Sequence, residues 1–315
     1  MRIITGSEIE TACSWPMIVD ALRAGHHLDP AILRDNLLET GGRKMLVRSA
    51  WIPGLASGVK AVTIYPDNPS LNPPRPSVQG QVLLFDETDG RVEAVLEGVD
   101  LTAWKTAGDS ALGTDCLARA DIETLLMVGA GSMAAPLIAA HCSVRPSIDR
   151  IIIWNRSKER GLTLAKQVEA SGLNVRFETD LEAVIPEADL ICSATMSQTP
   201  LIKGALIAPG THVDLVGAYT LGMREADDDV LKRGSLFVDS NETTIGHIGE
   251  VTIPLEAGTI SRADILGDLH ALVQSRAGRT GDAEITVFKN GGGAHLDIMV
   301  AHAIAKALEL STQTK

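Results

Sequence analysis

The sequence predicts an α/β protein, in which a doubly wound parallel sheet is joined to an α+β domain built from both ends of the chain. From Thr124 onward, short apolar runs alternate with helical segments, whereas β-rich runs and turns precede Gly113. The glycines of 290–293 then precede an apolar helical segment, which indicates that the chain returns to the first domain. The expected domains are 1–113, completed by 290–315, and 114–289.

Composition narrows the class of protein. The chain has 315 residues and is 45% hydrophobic, which favours two folded domains and excludes a largely disordered chain. The net charge of −12 and the 3% aromatic content disfavour binding to nucleic acid or to anionic membranes. The opening residues contain no apolar signal-peptide core. The four cysteines lie far apart without a zinc-like spacing, so we expect reduced thiols, no metal site and a cytoplasmic location.

The uncharged stretch from Thr124 to Val144 is long enough to span a bilayer. It is interrupted by Gly129, Gly131 and Pro136, which favours a buried strand, a turn and a packed helix instead. We therefore expect no membrane segment. Further strands of a parallel sheet are expected at Ile151–Trp154, Leu190–Ala194, Val213–Val216 and Leu236–Val238.

In the first domain, strands are expected where β-forming residues cluster. The Asp-Gly pair within Asp86–Gly90 is typical of a hairpin turn. A helix is expected over 101–117, because its apolar residues recur at helical spacing. The expected strands are Lys44–Ile52, Gly58–Tyr65, Gln81–Phe85 and Arg91–Leu96.

The most specific local motif is the glycine turn Gly129-Ala-Gly131-Ser-Met-Ala134. It follows an apolar strand and opens a helix, and a second strand arrives about twenty residues later, which is the setting of a Rossmann dinucleotide site. The first glycine permits the tight turn and the second lets the backbone approach a pyrophosphate. A glycine turn without a ligand is the alternative. The residues expected at the pyrophosphate are Gly129, Gly131, Ser132 and Met133.

The residues that follow the expected strand Ile151–Trp154 indicate which nicotinamide cofactor is bound. A carboxylate there would bind the ribose of NAD, but this chain has Asn155 followed by Arg156. Asn155 can bond the ribose, and Arg156 can bind a 2′-phosphate through charge-assisted hydrogen bonds. The pattern favours NADPH, with NADH as a weaker cofactor, although a solvated basic turn would give the same sequence.

Three cationic residues, Arg48, Lys60 and Lys105, lie within apolar segments. A cation among apolar neighbours is costly unless it meets an anion. Structural pairing or snorkelling is the common explanation for any one of them. Together, at the mouth of a nucleotide cleft, they would form a carboxylate site. Neutralisation by the protein's own acids would contradict this hypothesis.

Seven short motifs occur in one order along the chain. Because of these motifs, the chain resembles the ornithine cyclodeaminase/mu-crystallin family over nearly its whole length. Within that family it is most similar to the bacterial ketimine reductases, because of the segments 223–228 and 288–297. The motifs are Gly58-Val-Lys60, Ser77-Val-Gln with Leu83-Leu-Phe-Asp86, Lys105-Thr-Ala with Ser110-Ala-Leu112, Val128-Gly-Ala-Gly131, Trp154-Asn-Arg156, Ser193-Ala-Thr195 and Val216-Gly217.

The resemblance implies a substrate-binding and dimerisation domain made from both chain ends, with a Rossmann domain between them, and homodimers that pair the N-terminal sheets. It implies that Lys60 and the residue at Lys105 hold the substrate carboxylate, and we expect the nicotinamide to reach Thr195 and Gly217. Asp297 is a candidate for contact with the substrate nitrogen. Helix capping or structural pairing is the alternative for that carboxylate.

The chain also departs from the family pattern. Most members have arginine where this chain has Lys105, so a bidentate grip becomes a point-charge contact. The family also has an arginine earlier in the chain. Arg34 lies close to that position, but the segment Asn36–Thr40 does not align with the family, and we expect Arg48 to substitute for it. The cyclodeaminase aspartate that handles the substrate amine is missing from Gly217-Ala218-Tyr219, which disfavours ornithine deamination.

The expected activity is NADPH-dependent reduction of cyclic ketimine acids. Δ1-Pyrroline-2-carboxylate would give L-proline, and Δ1-piperideine-2-carboxylate would give L-pipecolate. Lys60 is the candidate proton donor, because desolvation beside other cations favours loss of its proton. The alternatives are ornithine cyclodeaminase, a related amino-acid dehydrogenase or imine reductase, and a non-catalytic binder. The preferred ring size stays open.

Overall fold

The computed structural model describes residues 1–313, with side chains as far as Glu309. The chain divides into two units, one formed by residues 1–106 with the chain from Gly293 onward, and the other by residues 107–292. The sequence boundaries were placed at Gly113 and at residue 290, and the last two residues of the predicted 290–315 segment lie outside the described part. The first boundary falls inside a helix, so a change in hydrophobic pattern could not locate it.

The secondary structure elements are as follows in chain order: β1 (Arg2–Ile4), α1 (Gly6–Ala12), α2 (Trp15–His26), β2 (Ile32–Thr40), β3 (Arg43–Ile52), β4 (Ala56–Ile64), β5 (Val78–Phe85), β6 (Val92–Glu97), α3 (Gly98–Leu117), β7 (Thr124–Val128), α4 (Ala134–Val144), β8 (Arg150–Trp154), α5 (Lys158–Glu169), β9 (Asn174–Glu178), α6 (Leu181–Val184), β10 (Leu190–Ser193), β11 (His212–Leu215), α7 (Asp228–Arg233), β12 (Ser235–Val238), α8 (Asn241–Thr244), α9 (Gly249–Glu256), β13 (Ile265–Asp268), α10 (Leu269–Val273), β14 (Thr286–Lys289) and α11 (Ala294–Gln313).

The first unit is built on a six-stranded sheet in the order β1-β6-β5-β4-β3-β2. Strands β2 to β6 form an antiparallel meander, and β1 pairs with β6 in parallel. Helix α11 packs on the sheet. Its Ile298 lies so close to Gly58 of β4 that a Cβ at Gly58 would collide with it. The return of the chain to this unit therefore covers the face of the sheet that carries the even-numbered side chains of β4.

The second unit contains an eight-stranded parallel sheet in the order β13-β12-β14-β11-β10-β7-β8-β9. From β9 through β7 to β14 this is the strand order of the Rossmann fold, and the order reverses between β7 and β10. Ligands of such folds bind beyond the carboxyl ends of the strands near the reversal. The prediction of a doubly wound parallel sheet beside an α+β unit is confirmed.

The core of the second unit consists of aliphatic side chains from strands buried on both faces. Leu126, Ile152, Ile191 and Val213 belong to a single apolar cluster, and each is almost fully buried. Burial of a side chain of this size contributes about 1.5–3 kcal/mol. Across residues 1–313, no helix combines the length and the apolar character needed to cross a membrane.

Candidate active site

Lys60 and Asp297 form a buried ion pair in the first unit. Lys60 lies on the helix-covered face of β4, and its Nζ donates to Asp297 Oδ1 at 2.8 Å and to Thr102 Oγ1 at 2.6 Å. Asp297 lies in the first turn of α11 and is fully buried. The helix that returns to this unit therefore delivers a carboxylate to the lysine of the central strand.

Lys105 and Arg48 extend this cluster. Lys105 Nζ lies 3.8 Å from Asp297 Oδ2, so the two lysines share one carboxylate. Arg48 is the cross-strand neighbour of Lys60, and its Nε donates to Asp35 Oδ2 at 2.8 Å. The structure thus brings the three predicted cations into one unit. The expectation that the protein's own acids leave them unneutralised is wrong in part, because Asp35 and Asp297 pair with them.

The charges of this cluster do not cancel. Three positive groups, Arg48, Lys60 and Lys105, face two negative groups, Asp35 and Asp297. Burial alone would raise the pKa of Asp297, but the lysines and Arg48 hold that pKa below its ordinary value. Asp297 is therefore ionised at neutral pH, and the five groups together carry one net positive charge.

His295 also lies beside this cluster. It is buried on α11, two residues before Asp297, and its ring meets the ring of His26 edge-on with the centroids 5.7 Å apart. Burial, together with the charges of Lys105 and Arg48, sets the pKa of His295 well below the ordinary value. His295 is therefore neutral at physiological pH and adds no charge.

The glycine turn of the second unit requires glycine at its first position. Gly129 adopts a φ of 114°, which L side chains rarely adopt, and a Cβ there would lie 2.7 Å from the Ala194 carbonyl oxygen. A Cβ at Gly131 would point into open space. Helix α4 begins after Met133 without a side-chain cap, so backbone N–H groups are offered to an anion. Ser132 is exposed, and Met133 is half-buried.

Asn155 and Arg156 follow β8, as predicted, but they differ in their surroundings. The Asn155 Oδ1 accepts from the Ala130 N–H at 3.1 Å, and its Nδ2 donates to the Ser157 carbonyl at 2.9 Å. Asn155 therefore ties the glycine turn to the end of β8. The Arg156 side chain is exposed, so its guanidinium can be used by a ligand.

Thr195 and Gly217 follow β10 and β11 and lie in contact with each other. A Cβ at Gly217 would collide with the backbone of Thr195, so glycine is required there by close approach. Both residues donate backbone N–H groups to the carboxylate of Glu225. Glu225 is buried and was not singled out from the sequence, where it reads as one acid among several in the segment 223–228.

Two further ionisable residues, Glu250 and Lys289, are buried around Glu225. Glu250 accepts from the N–H groups of Glu225 and Ala226 at 2.7 and 3.0 Å. Burial, reinforced by the charge of Glu225 and opposed by that of Lys289, raises the pKa of Glu250 from 4.5 to about 7. Desolvation also lowers the pKa of Lys289, whose Nζ donates to the carbonyls of Leu215 and Asn290.

His141, Cys192 and Asp214 form a separate buried cluster in the second unit, and their ligand atoms lie close enough to hold a metal ion. These three side chains contact one another. The Cys192 Sγ donates to Asp214 Oδ2 at 3.2 Å, and His141 Nε2 lies 3.2 Å from the same oxygen. Although burial opposes it, His141 keeps the pKa of Asp214 below its ordinary value. The contacts in this cluster are therefore a close imidazole–carboxylate approach and a hydrogen bond from the thiol to the same carboxylate.

The sequence is similar to those of known proteins over most of its length. The family model described as "Ornithine cyclodeaminase/mu-crystallin family" matches residues 44–311. A Δ1-pyrroline-2-carboxylate reductase of Paracoccus denitrificans is 46% identical over 296 residues, covering 94% of this chain and 93% of that protein. The protein SAR DEFICIENT 4 of Arabidopsis thaliana is 38% identical and covers 86% of this chain and 85% of its own length.

Two solved structures extend the likeness to the fold. A Thermococcus litoralis Δ1-pyrroline-2-carboxylate reductase in complex with NADH and L-proline superposes with a TM-score of 0.91 at 27% identity, covering 99% of this chain and 98% of that one. The iminosuccinate reductase of Paracoccus denitrificans in complex with NAD+ gives a TM-score of 0.92 at 28% identity, with 99% and 97% covered. Both were solved with a nicotinamide cofactor bound.

The buried Glu250 makes the stability of the protein depend on pH. Because the pKa is about 7 in the folded protein and near 4.5 when the chain is unfolded, the folded state takes up a proton as the pH falls through 7. The free energy of unfolding should therefore rise by about 3 kcal/mol between pH 8 and pH 4.5 from this residue alone. Glu250→Gln should lack that contribution. Urea unfolding of the wild type and of Glu250→Gln at pH 8 and pH 5 measures this contribution. If the free energy of unfolding changed between the two pH values by the same amount in both proteins, the assignment would be contradicted.

Proposed function

Because the chain belongs to the ornithine cyclodeaminase/mu-crystallin family, we propose that it is an NADPH-dependent oxidoreductase acting on the C=N bond of cyclic ketimine acids. It reduces Δ1-pyrroline-2-carboxylate to L-proline and Δ1-piperideine-2-carboxylate to L-pipecolate. The observation that carries the proposal is the buried cluster of Lys60, Lys105 and Asp297 with its net positive charge. The similarity to pyrroline-2-carboxylate reductases over nearly the whole chain supports the choice of substrate.

The cluster is suited to a small carboxylate. Its single net charge matches one carboxylate group, and its buried position strengthens the attraction relative to water. We assign Lys60, Lys105 and Arg48 to the substrate carboxylate, with Asp297 holding the two lysines in place. In this role Asp297 fixes the position of the substrate through the two lysines. Direct contact of the Asp297 carboxylate with the substrate nitrogen is less important than this positioning.

The reduction consumes one hydride and one proton. The nicotinamide, when bound, supplies the hydride to C2 of the imine. The proton at the nitrogen is already present if the iminium binds, and otherwise Lys60 donates it from Nζ. The ion pair with Asp297 and the bond to Thr102 keep that Nζ fixed, which favours transfer at one defined point.

The second unit holds the cofactor. The N–H groups at Gly131, Ser132 and Met133 bind the pyrophosphate, and Gly129 shapes the turn. Asn155 orients that turn and reaches the ribose, while Arg156 binds the 2′-phosphate that distinguishes NADPH from NADH. The residues at the nicotinamide end are Thr195 and Gly217.

The first unit also supplies the surface for a homodimer. Ile32 pairs with Trp51, and Leu38 pairs with Met45, across β2 and β3, and all four side chains are exposed. They lie on the face of these strands opposite to Arg48. An exposed apolar patch of this kind marks an interaction surface. We assign it to a second copy of the chain, and we place the enzyme in the cytoplasm, where its four free thiols stay reduced.

Reduction of the two cyclic imines tests the function. The protein should oxidise NADPH with either substrate and release no ammonia from ornithine. In Lys60→Gln, kcat/KM should fall by about 10²-fold or more, because a charged contact and a proton donor are lost. Asp297 keeps Lys105 as its partner in this variant. Lys306→Gln, which changes an exposed lysine of α11, is the matched control. Normal turnover in Lys60→Gln would remove Lys60 from the site, and ammonia release from ornithine would indicate a lyase.

Cofactor preference depends on Arg156. Arg156→Ala should raise KM for NADPH by about 10- to 100-fold, the value of a charge-assisted bond of about 1.5–3 kcal/mol, and leave KM for NADH within about threefold. Arg150→Ala is the control, because Arg150 is an exposed arginine at the opposite end of β8. Steady-state kinetics with both cofactors measure the effect. Equal changes for NADPH and NADH would disprove the 2′-phosphate assignment.

A further inference from the structure

Glu225 collects hydrogen bonds from two separate segments of the second unit. Its Oε1 accepts from the Ser193 Oγ at 2.6 Å, from the Thr195 N–H at 2.7 Å and from the Thr195 Oγ1 at 2.8 Å. Its Oε2 accepts from the N–H groups of Gly217 and Ala218 at 2.5 and 3.2 Å. One buried carboxylate thus joins the chain that follows β10 to the chain that follows β11.

The position of Glu225 is itself fixed from two sides. Glu250 accepts from its backbone N–H and from that of Ala226, which anchors the main chain. The buried ammonium of Lys289 supplies a counter-charge, and it also donates to the Leu215 carbonyl at the end of β11. The two oxygens of this carboxylate accept from five donors, of which two are hydroxyls and three are backbone N–H groups.

This arrangement determines the polarity of Thr195. Since the hydroxyl proton of Thr195 is given to Glu225, its oxygen can only accept a further hydrogen bond. The Gly217 N–H also donates to Glu225, so it is not offered to a ligand. The nicotinamide end of the site therefore presents an acceptor where a free threonine could present either a donor or an acceptor.

We propose that Glu225 is a positioning residue for the nicotinamide end of the cofactor. It holds the Thr195 and Gly217 segments together and leaves the Thr195 oxygen to accept from the N–H of a carboxamide group. The proposal rests on the proposed function, because it assumes that a nicotinamide is the group at Thr195. Displacement of a reacting group by about 1 Å can cost 10²-fold in rate, so loss of this carboxylate should act mainly on kcat.

The test compares whole NADPH with 2′-phospho-ADP-ribose, a fragment that lacks the nicotinamide. In Glu225→Gln, kcat should fall by about 10- to 100-fold, and the Kd of NADPH should rise. The Kd of the fragment should stay within about twofold. The primary isotope effect with NADPH deuterated at the transferred position should increase, because hydride transfer becomes slower than the other steps. Glu256→Gln, at an exposed glutamate of α9, is the matched control and should leave every value unchanged.

The outcomes separate the two proposals. Equal weakening of NADPH and fragment would show that Glu225 only supports the fold of the unit, and unchanged kcat would also overturn the inference. Failure of the wild-type protein to bind either molecule would instead overturn the proposed function. If Glu225→Gln does not fold, Glu225→Asp keeps the charge beside Lys289 but is one methylene shorter. It should show the same split between NADPH and fragment.

Discussion

The ion pairs around Asp297 are the constraint on which the first unit depends. Lys60 comes from the centre of the sheet, Lys105 from α3, and Asp297 from α11 near the other end of the chain. None of these charges could be buried alone, since an unpaired buried charge costs several kcal/mol. Their mutual pairing makes the burial possible, and the unequal count of charges leaves the cluster positive. The contacts that make this burial possible are the same ones to which we assign the substrate carboxylate.

The second unit also buries charged groups, but here carboxyl groups outnumber the cations. Glu225 and Glu250 are buried near the ammonium of Lys289, and backbone N–H groups and hydroxyls donate hydrogen bonds to the two carboxyl groups. Backbone donors are fixed in place, so a carboxylate that they surround becomes a rigid support. In the first unit we assign the buried charges to a substrate, whereas in the second unit Glu225 joins the segments that follow β10 and β11.

Much of the fold could be predicted from the sequence because its strands are apolar or lie beside clear turns. The segments Ile151–Trp154 and Leu190–Ala194 correspond closely to β8 and β10. Strand β2 was missed, since most of its side chains are exposed and it shows no alternating pattern. In the site, Lys60 and Arg48 stood out as cations in apolar strands. Their pairing with Asp297 and Asp35, and the grip of Glu225 on Gly217, depend on contacts between distant or irregular segments, which no local pattern records.

The most direct measurement of the account is a crystal structure of the protein with NADP+ and L-proline bound. The account predicts that an oxygen of the proline carboxylate lies about 3 Å from the Nζ of Lys60 or Lys105, or from the guanidinium of Arg48, while Asp297 still contacts both lysines. A proline carboxylate bound elsewhere, with the three cations held by Asp35 and Asp297 alone, would contradict it.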